Sequence, residues 1–445
     1  MQEAQISSSK VTGAAGSLPP IAGKALPPGQ PPSVARATAH VNKLLMSIRA
    51  AHDAGKRKKA DQLVCRYLAS FDARYLATLE AYQTLKGIKP DPSILPAVAR
   101  SLNAWAGSEE NVLIRLVPRP GKPDWPRMTL KFGLENRALQ LLVLKLLKAQ
   151  ADLHPNQYLM RGTHAAIERV VELLNAGYAW AIETDIHNCY PSFDGEKVPE
   201  LLPVPKEVTR RVFLCGTYTI LLYSGTFGPA DEPGEDEELI ASDLFADARR
   251  GLPQGSAASP LAVEMLLAPM FHKLPPGSPW TGYSDNFLAM GKTKSAAVSM
   301  TLAFRSALKA HPAGQFWPNP PKTYAPGEPI EFLGHRIQHF PGMTRIDPTS
   351  DNLDRFAHKM DIGLRAIKAA SSKSVRMKRI WKLRAYVTSW TAAFKLCADI
   401  GTTRHDALKR IAWAADMSEI HEALKQPKLL VGKQPQCLAK NSQNA

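Results

Sequence analysis

The sequence predicts an α+β fold on three observations. Helical periodicity, with apolar residues at i, i+3 and i+4, runs from Val41 to about Ala106 and again from Asp351 to about Lys425. Between these stretches, short apolar runs broken by Pro and Gly read as strand–turn–strand units. Of the 445 residues, 44% are hydrophobic and 22% charged. That composition buries a core and excludes a disordered, collagenous or coiled-coil chain.

Taken in order, residues 1–38 read as a disordered Pro/Ala-rich tail, too poor in large apolar groups to pack. Residues 39–110 form an N-terminal helical region. It carries the run Lys56-Arg57-Lys58-Lys59, either a solvated helix end or a phosphate contact. Residues 112–130 read as two short strands around a Pro/Gly turn, followed by helices at about 135–150 and 163–175, so that 111–177 make one unit. The next unit, 178–346, opens with a strand from Tyr178 to Ile186 and has strand–turn–strand segments at 278–292 and at 329–346. Within it, 226–248 is an insertion with eight Asp/Glu, read as a solvated loop or, alternatively, a mimic of nucleic-acid charge. Residues 347–430 are helical and basic, with Trp381, Tyr386 and Trp390 interleaved among the cations, and 431–445 read as a flexible tail.

Lys and Arg number 56 against 40 Asp and Glu, a net charge of +16. A chain this basic meets a polyanion, with nucleic acid ahead of an acidic membrane surface. The five cysteines are scattered without zinc spacing, which fits reduced thiols in a cytoplasm. No apolar run reaches the roughly 18 residues of a membrane span, and no secretory signal is expected.

Three segments carry candidate chemistry. In Ala181-Ile182-Glu183-Thr184-Asp185-Ile186-His187-Asn188-Cys189-Tyr190, an apolar strand ends on an acid and an aromatic follows. Arg250-Gly251-Leu252-Pro253-Gln254-Gly255-Ser256-Ala257-Ala258-Ser259-Pro260 leads into an apolar helix. Tyr283-Ser284-Asp285-Asn286 is the turn of an apolar hairpin. Alone, each has a plain structural reading: a strand-end cap, a loop before a helix, a turn-forming pair.

In this order and spacing the three segments resemble motifs A, B and C of bacterial reverse transcriptases related to group II intron and retron enzymes. Asn319 to Thr323, with Lys322, resembles the Lys-Thr stretch of motif D, and Glu331-Phe332-Leu333-Gly334-His335 the Phe-Leu-Gly of motif E, the primer grip. Val117 to Lys122 with Arg127 resembles the fingers hairpin, and Asn136-Arg137 and Arg161-Gly162-Thr163-His164 the next fingers blocks. The match is collinear over about 112–340. It implies a right-hand polymerase fold, with fingers at 111–177, a palm with an antiparallel, RRM-like sheet at 178–346 and a helical thumb at 347–430.

The resemblance also implies RNA-directed DNA synthesis with Mg²⁺, or Mn²⁺, as cofactor. Asp185, Asp285, Asn286 and the carbonyl of Ile186 would be the ligands. Two such ions about 3.5–4 Å apart act on the attacking and leaving oxygens, and hard cations prefer carboxylate oxygen. Lys322 would donate a proton to pyrophosphate, a surface lysine being the alternative. Arg119, Lys122 and Arg127 would hold the triphosphate. Tyr190 would exclude a 2′-hydroxyl, a packed core tyrosine being the alternative, and Gln254 and Gly255 would position template and nucleotide. Arg161, Phe332, Leu333 and Gly334, with Lys378, Arg379, Trp381, Lys382 and Arg384, would contact primer and template. The implied partners are an RNA template, a DNA product and deoxynucleoside triphosphates, with a non-coding RNA or a protein encoded nearby as a further candidate. The implied setting is antiphage defence.

The chain departs from the family pattern at several points. Asn286 replaces the second acid of motif C and removes one negative charge, which Glu183, on the same strand face, would offset. Glu264 stands where relatives carry Asn and is expected to line the cleft against a base or the template. Trp125-Pro126-Arg127-Met128 departs from the usual fingers order. A Cys/His endonuclease segment, an RNase H constellation and the complete retron Asn-Ala-x-x-His signature are not found. The alternatives are protein-primed, non-templated or simple-repeat DNA synthesis, and a catalytically weakened nucleic-acid-binding relative. Motif B disfavours an RNA-dependent RNA polymerase.

Overall fold

The computed structural model describes residues 33–85, 89–119, 122–222, 246–274 and 277–415, with the backbone alone at 118, 119 and 122–127. Most of the predicted N-terminal tail, most of the acidic insertion and all of 431–445 lie outside the described residues.

The N-terminal helices are α1 (Val34–Asp53), α2 (Arg57–Ala69), α3 (Phe71–Thr84) and α4 (Leu95–Ser101). Helix α1 starts inside the segment read as tail, because Ala37, Val41, Leu44 and Ile48 continue one buried stripe at helical spacing. Helices α1, α2 and α3 pack on α5 (Leu134–Gln150), whose residues are buried almost all round, and α4 packs on α3; the buried Tyr67 hydroxyl donates to the Leu142 carbonyl at 3.0 Å. The Lys56–Lys59 run sits exposed at the α1–α2 turn.

The hairpin expected over 112–130 is β1 (Val112–Arg119) and β2 (Lys122–Lys131), antiparallel. A third strand, β4 (Ile220–Leu222), joins β1 in parallel. Helix α6 (Thr163–Asn175) leads into β3 (Trp180–Asp185), and α7 (Val198–Leu201) and α8 (Lys206–Phe213) precede β4.

The central sheet has the order β5-β6-β3-β7, with β5 (Trp280–Tyr283), β6 (Asn286–Gly291) and β7 (Lys322–Tyr324), all pairs antiparallel. Both faces are covered. Phe287 and Ala289 face a core shared with α9 (Ser259–Phe271) and α10 (Lys294–Lys309), whereas Leu288 and Met290 face α6. Strand β6 therefore reads as one unbroken apolar run instead of alternating. Phe287 stacks on Phe304 with centroids 4.0 Å apart, and Phe271 on Trp280 at 4.6 Å. Such pairs contribute about 0.5–1.5 kcal/mol each beyond their burial.

The segment expected as one hairpin at 329–346 holds three strands, β8 (Ile330–Phe332), β9 (His335–Phe340) and β10 (Met343–Pro348). Helices α11 (Ser350–Lys368), α12 (Lys373–Ala393) and α13 (Ile400–Ala414) follow and bury their own core around Met360, Ile380, Leu383, Val387 and Ile411. The Ala398 amide donates to Ile346 (2.8 Å), and His164 Nε2 lies 3.0 Å from the Ala393 carbonyl, tying this bundle to the rest. Among the described residues no helix is long and apolar enough to cross a membrane.

Candidate active site

Strands β3 and β6 are neighbours, and their ends meet. Asp185 lies opposite Asn286, and the Ile186 amide donates to the Asp285 carbonyl at 3.1 Å. A two-residue turn, Ser284-Asp285, joins β5 to β6 with Tyr283 opposite Asn286. So tight a connection requires a positive φ, which Ser284 adopts at 55°. The carboxylates of Asp185 and Asp285 thus share one edge of the sheet. Cys189 registers both: burial first, then the negative charges of Asp285 and Asp185, push its thiol well above the ordinary range.

Asp185 is clamped by a residue that the sequence did not single out for this role. Asn319 donates from Nδ2 to Asp185 Oδ1 at 2.8 Å and from its amide to the Asp185 carbonyl at 2.8 Å. Its carbonyl accepts from Thr184 Oγ1 (2.8 Å), and its Oδ1 lies 3.0 Å from His187 Nδ1. The exposed Trp317 precedes it and accepts from the His187 amide at 2.8 Å. Asn286 donates from Nδ2 to the Tyr283 carbonyl and to Asp285 Oδ1, both at 3.3 Å, so its amide oxygen is the atom it offers a cation.

Glu183 does not join this pair. It lies opposite Lys322, and its carboxylate accepts from the Tyr324 hydroxyl at 3.0 Å. Burial raises its pKa, and burial together with Glu183 pushes the Tyr324 hydroxyl up to about 12. Lys322 is paired with Glu331 at 2.7 Å, which raises the pKa of the ammonium, and it stands 5.0 Å over the Tyr324 ring. The pair engages one of the three ammonium protons and favours the charged form.

The loop 250–260 is stitched to the site on two sides. The Leu252 amide donates to the Tyr190 carbonyl at 2.9 Å, and the Leu130 amide donates to the Gln254 carbonyl at 2.7 Å. Tyr190 is half-buried against the main core. The loop thereby links Tyr190, Gln254 and Gly255 to strand β2. Arg119, Lys122 and Arg127 lie on the β1–β2 hairpin, where the backbone pairs Val117 with Arg127 and Arg119 with Lys122; their side chains lie outside the described residues.

Glu264 overturns an expectation. It does not line a cleft: it is fully buried in α9, and Oε1 accepts from the Ser284 amide at 2.9 Å and the Leu159 amide at 3.2 Å. Burial pushes its pKa up to about 7, against those two hydrogen bonds and the Arg161 charge, which pull it down. Folded, Glu264 keeps its proton to about 7; unfolded, it releases it near 4.5. The folded state binds more protons in that window, so stability falls as pH rises through it, by roughly 3 kcal/mol. Glu264→Gln should flatten this part of a stability–pH profile measured by chemical denaturation. An unchanged slope would place the proton elsewhere.

The remaining residues are dispersed. Arg161 stacks on the Tyr158 ring at 3.7 Å and donates to the carbonyls of Gln157 (3.2 Å) and Pro155. Phe332, expected to touch nucleic acid, is buried in the core beneath α6, so its ring is not available to a ligand. Leu333 and Gly334 form the turn beyond it, with φ of 48° and 79°. On α12, Lys378 and Lys382 are exposed, Arg384 stands over Trp381 at 5.5 Å, and Arg379 is tied to the Ala366 carbonyl. A cavity of about 820 Å³ follows residues 191–196, with Arg210, Arg249, Arg250 and Lys309 on its walls; neither Asp185 nor Asp285 lines it.

No family model and no curated protein matches the chain. Among solved structures it is similar to apo telomerase from Candida tropicalis truncated from its C-terminal domain. The identity is 14%, over 54% of this chain and 56% of that one, with a TM-score of 0.33. A similarity this slight carries no argument about activity.

Proposed function

We propose that the chain is an RNA-directed DNA polymerase that adds deoxynucleotides to a DNA 3′ end. The observation that supports this reading is the meeting of Asp185 and Asp285, from distant segments, at adjacent strand ends beside Asn286. The donor set is all oxygen: two carboxylates, an amide and the Ile186 carbonyl. That suits a hard divalent cation, Mg²⁺ or Mn²⁺. Among the described residues no group of three or more His, Cys, Asp or Glu gathers to hold a metal, so this set is one charge short of a three-carboxylate centre. A bound divalent ion there would supply positive charge to the attacking and leaving oxygens.

The chain's own groups do the rest. Asn319 fixes the rotamer of Asp185, and the 250–260 loop holds the main chain of Tyr190, whose ring would exclude a 2′-hydroxyl in this reading. Glu264 bonds to main chain instead of facing a template, which removes one motive for non-templated synthesis. A place in antiphage defence belongs to the same proposal and rests on the resemblance of the motifs alone.

The test is extension of a DNA primer on an RNA template by the purified chain, with Mg²⁺ or Mn²⁺ and either deoxy- or ribonucleotides. Deoxynucleotide incorporation is expected. A wild type that prefers ribonucleotides, or extends nothing with either metal, overturns the reading. Tyr190→Val should admit ribonucleotides, lowering sugar discrimination by roughly 1–3 kcal/mol as read from the ratio of kcat/KM values. Unchanged discrimination would make Tyr190 a packing residue only.

A further inference from the structure

We propose that Glu264 is a positioning residue that sets Asp285 by gripping the main chain of the turn that carries it. For what Asp285 does, the inference rests on the polymerase reading above. Beyond Ser259 at its start, helix α9 is apolar except at Glu264, which it delivers into the interior with no exposed surface. A buried carboxyl costs free energy unless its oxygens are bonded. Here one oxygen takes two amides, Ser284 N at 2.9 Å and Leu159 N at 3.2 Å.

The Ser284 amide is the decisive partner, because Ser284 immediately precedes Asp285 and has the left-handed φ of 55°. That conformation is disfavoured for a non-glycine residue, so the turn gains from an external hold. Glu264 provides it from another element. The second amide anchors the grip to a rigid frame. Gln157 Nε2 donates to the Glu264 carbonyl at 2.8 Å, the Tyr158 amide to the Gly282 carbonyl at 2.9 Å, and the Gly282 amide to the Asn156 carbonyl at 2.8 Å. Helix α9, the 156–159 segment and the β5–β6 turn thus close a ring of hydrogen bonds, with Glu264 contributing both its carbonyl and its carboxyl.

Glu264 Oε2 and Ser284 Oγ are buried with no hydrogen-bond partner among the described residues. Packing alone does not account for a carboxyl that leaves one oxygen unbonded. A side chain lacking an acceptor at that point would leave the Ser284 amide without this bond.

The experiment compares wild type, Glu264→Gln, Glu264→Leu and Asp285→Ala. Steady-state extension, Mn²⁺ binding by calorimetry and hydrogen exchange over 280–288 are measured on each folded protein. Gln keeps an acceptor oxygen for both amides and should stay close to wild type in all three. Leu should lose roughly 100-fold in kcat, the scale of a misplaced reacting group, with KM for the deoxynucleotide little changed. It should also weaken Mn²⁺ binding by about 10–100-fold, as outer-shell losses do, and speed exchange at Ser284. A Leu variant with wild-type kcat, a loss that falls on KM, or a Gln variant as impaired as Leu overturns the proposal. If wild type makes no product and binds Mn²⁺ no better than Asp285→Ala, the polymerase reading fails. Exchange then decides the grip: fast at Ser284 in Leu and slow in Gln supports it, and no difference overturns it. Should Leu not fold, exchange and Mn²⁺ binding in Gln, with Glu264→Ala replacing Leu, decide in the same way.

Discussion

Asp185→Ala and Asp285→Ala should each abolish the proposed DNA synthesis while leaving the fold in place. Both side chains lie at strand ends, partly exposed and outside the apolar clusters, so neither contributes core packing. In the proposed site each would supply one of two carboxylates to a donor set already short of charge at Asn286. Stabilisation of the developing charge by a metal held there amounts to several kcal/mol. At 1.36 kcal/mol per tenfold, the loss is on the order of 10³-fold or more. Single-turnover extension reads the rate, and thermal melting beside it separates this from unfolding. Asn319→Ala should fall between, at about 10–100-fold, because it frees the Asp185 rotamer without removing the carboxylate. Full activity in Asp285→Ala would remove Asp285 from the site and with it the proposed chemistry.

The second large effect concerns the loop before α9. A Cβ on Gly251 would lie 2.1 Å from the Tyr190 carbonyl and 3.0 Å from the Pro191 main chain, at a φ of 58°. A Cβ on Gly255 would lie 2.4 Å from the Leu130 carbonyl, at a φ of 104°. The obstacles are backbone atoms, which cannot swing aside like a flexible side chain. The loop must therefore lift from Tyr190 or from β2. Gly251→Ala and Gly255→Ala should each destabilise by more than about 3 kcal/mol in urea unfolding, or lose extension activity if they fold. Gly55→Ala is the control. Its φ is 65° but nothing lies within 4 Å, so only the conformational strain applies, about 1–2 kcal/mol. Equal effects at Gly251 and Gly55 would mean that the close approach to Tyr190 does not constrain the loop.

Much of the fold was legible because it depends on neighbours in sequence. The stripe Val41, Leu44 and Ile48 marks a helix, Pro120-Gly121 fall between β1 and β2, and the apolar residues around Tyr283-Ser284-Asp285-Asn286 mark a hairpin. The position of Asp285 in a tight turn was equally local. Glu264 departs from the family pattern in the sequence, but its role is not legible there. Nothing within its own helix says that its acceptor oxygen meets the Ser284 amide, 20 residues away in the chain. Asn319 opens the stretch that resembles motif D, but nothing local marks it as the partner of Asp185, 134 residues distant.

Local patterning specifies the elements, the basic character of the chain and the residue types that chemistry at an acidic sheet edge requires. Periodicity reports whether a face is buried, and turn residues report where the chain must reverse. The tertiary structure alone decided which groups meet. It paired β1 in parallel with β4, turned Phe332 inward, drew Glu183 to Tyr324, and set Asn319 on Asp185 and Glu264 beneath the Asp285 turn. The physical reason is the range of the interactions. Propensity and patterning act over a few residues. A hydrogen bond between elements depends on how helices and sheets pack, and packing is a property of the whole chain.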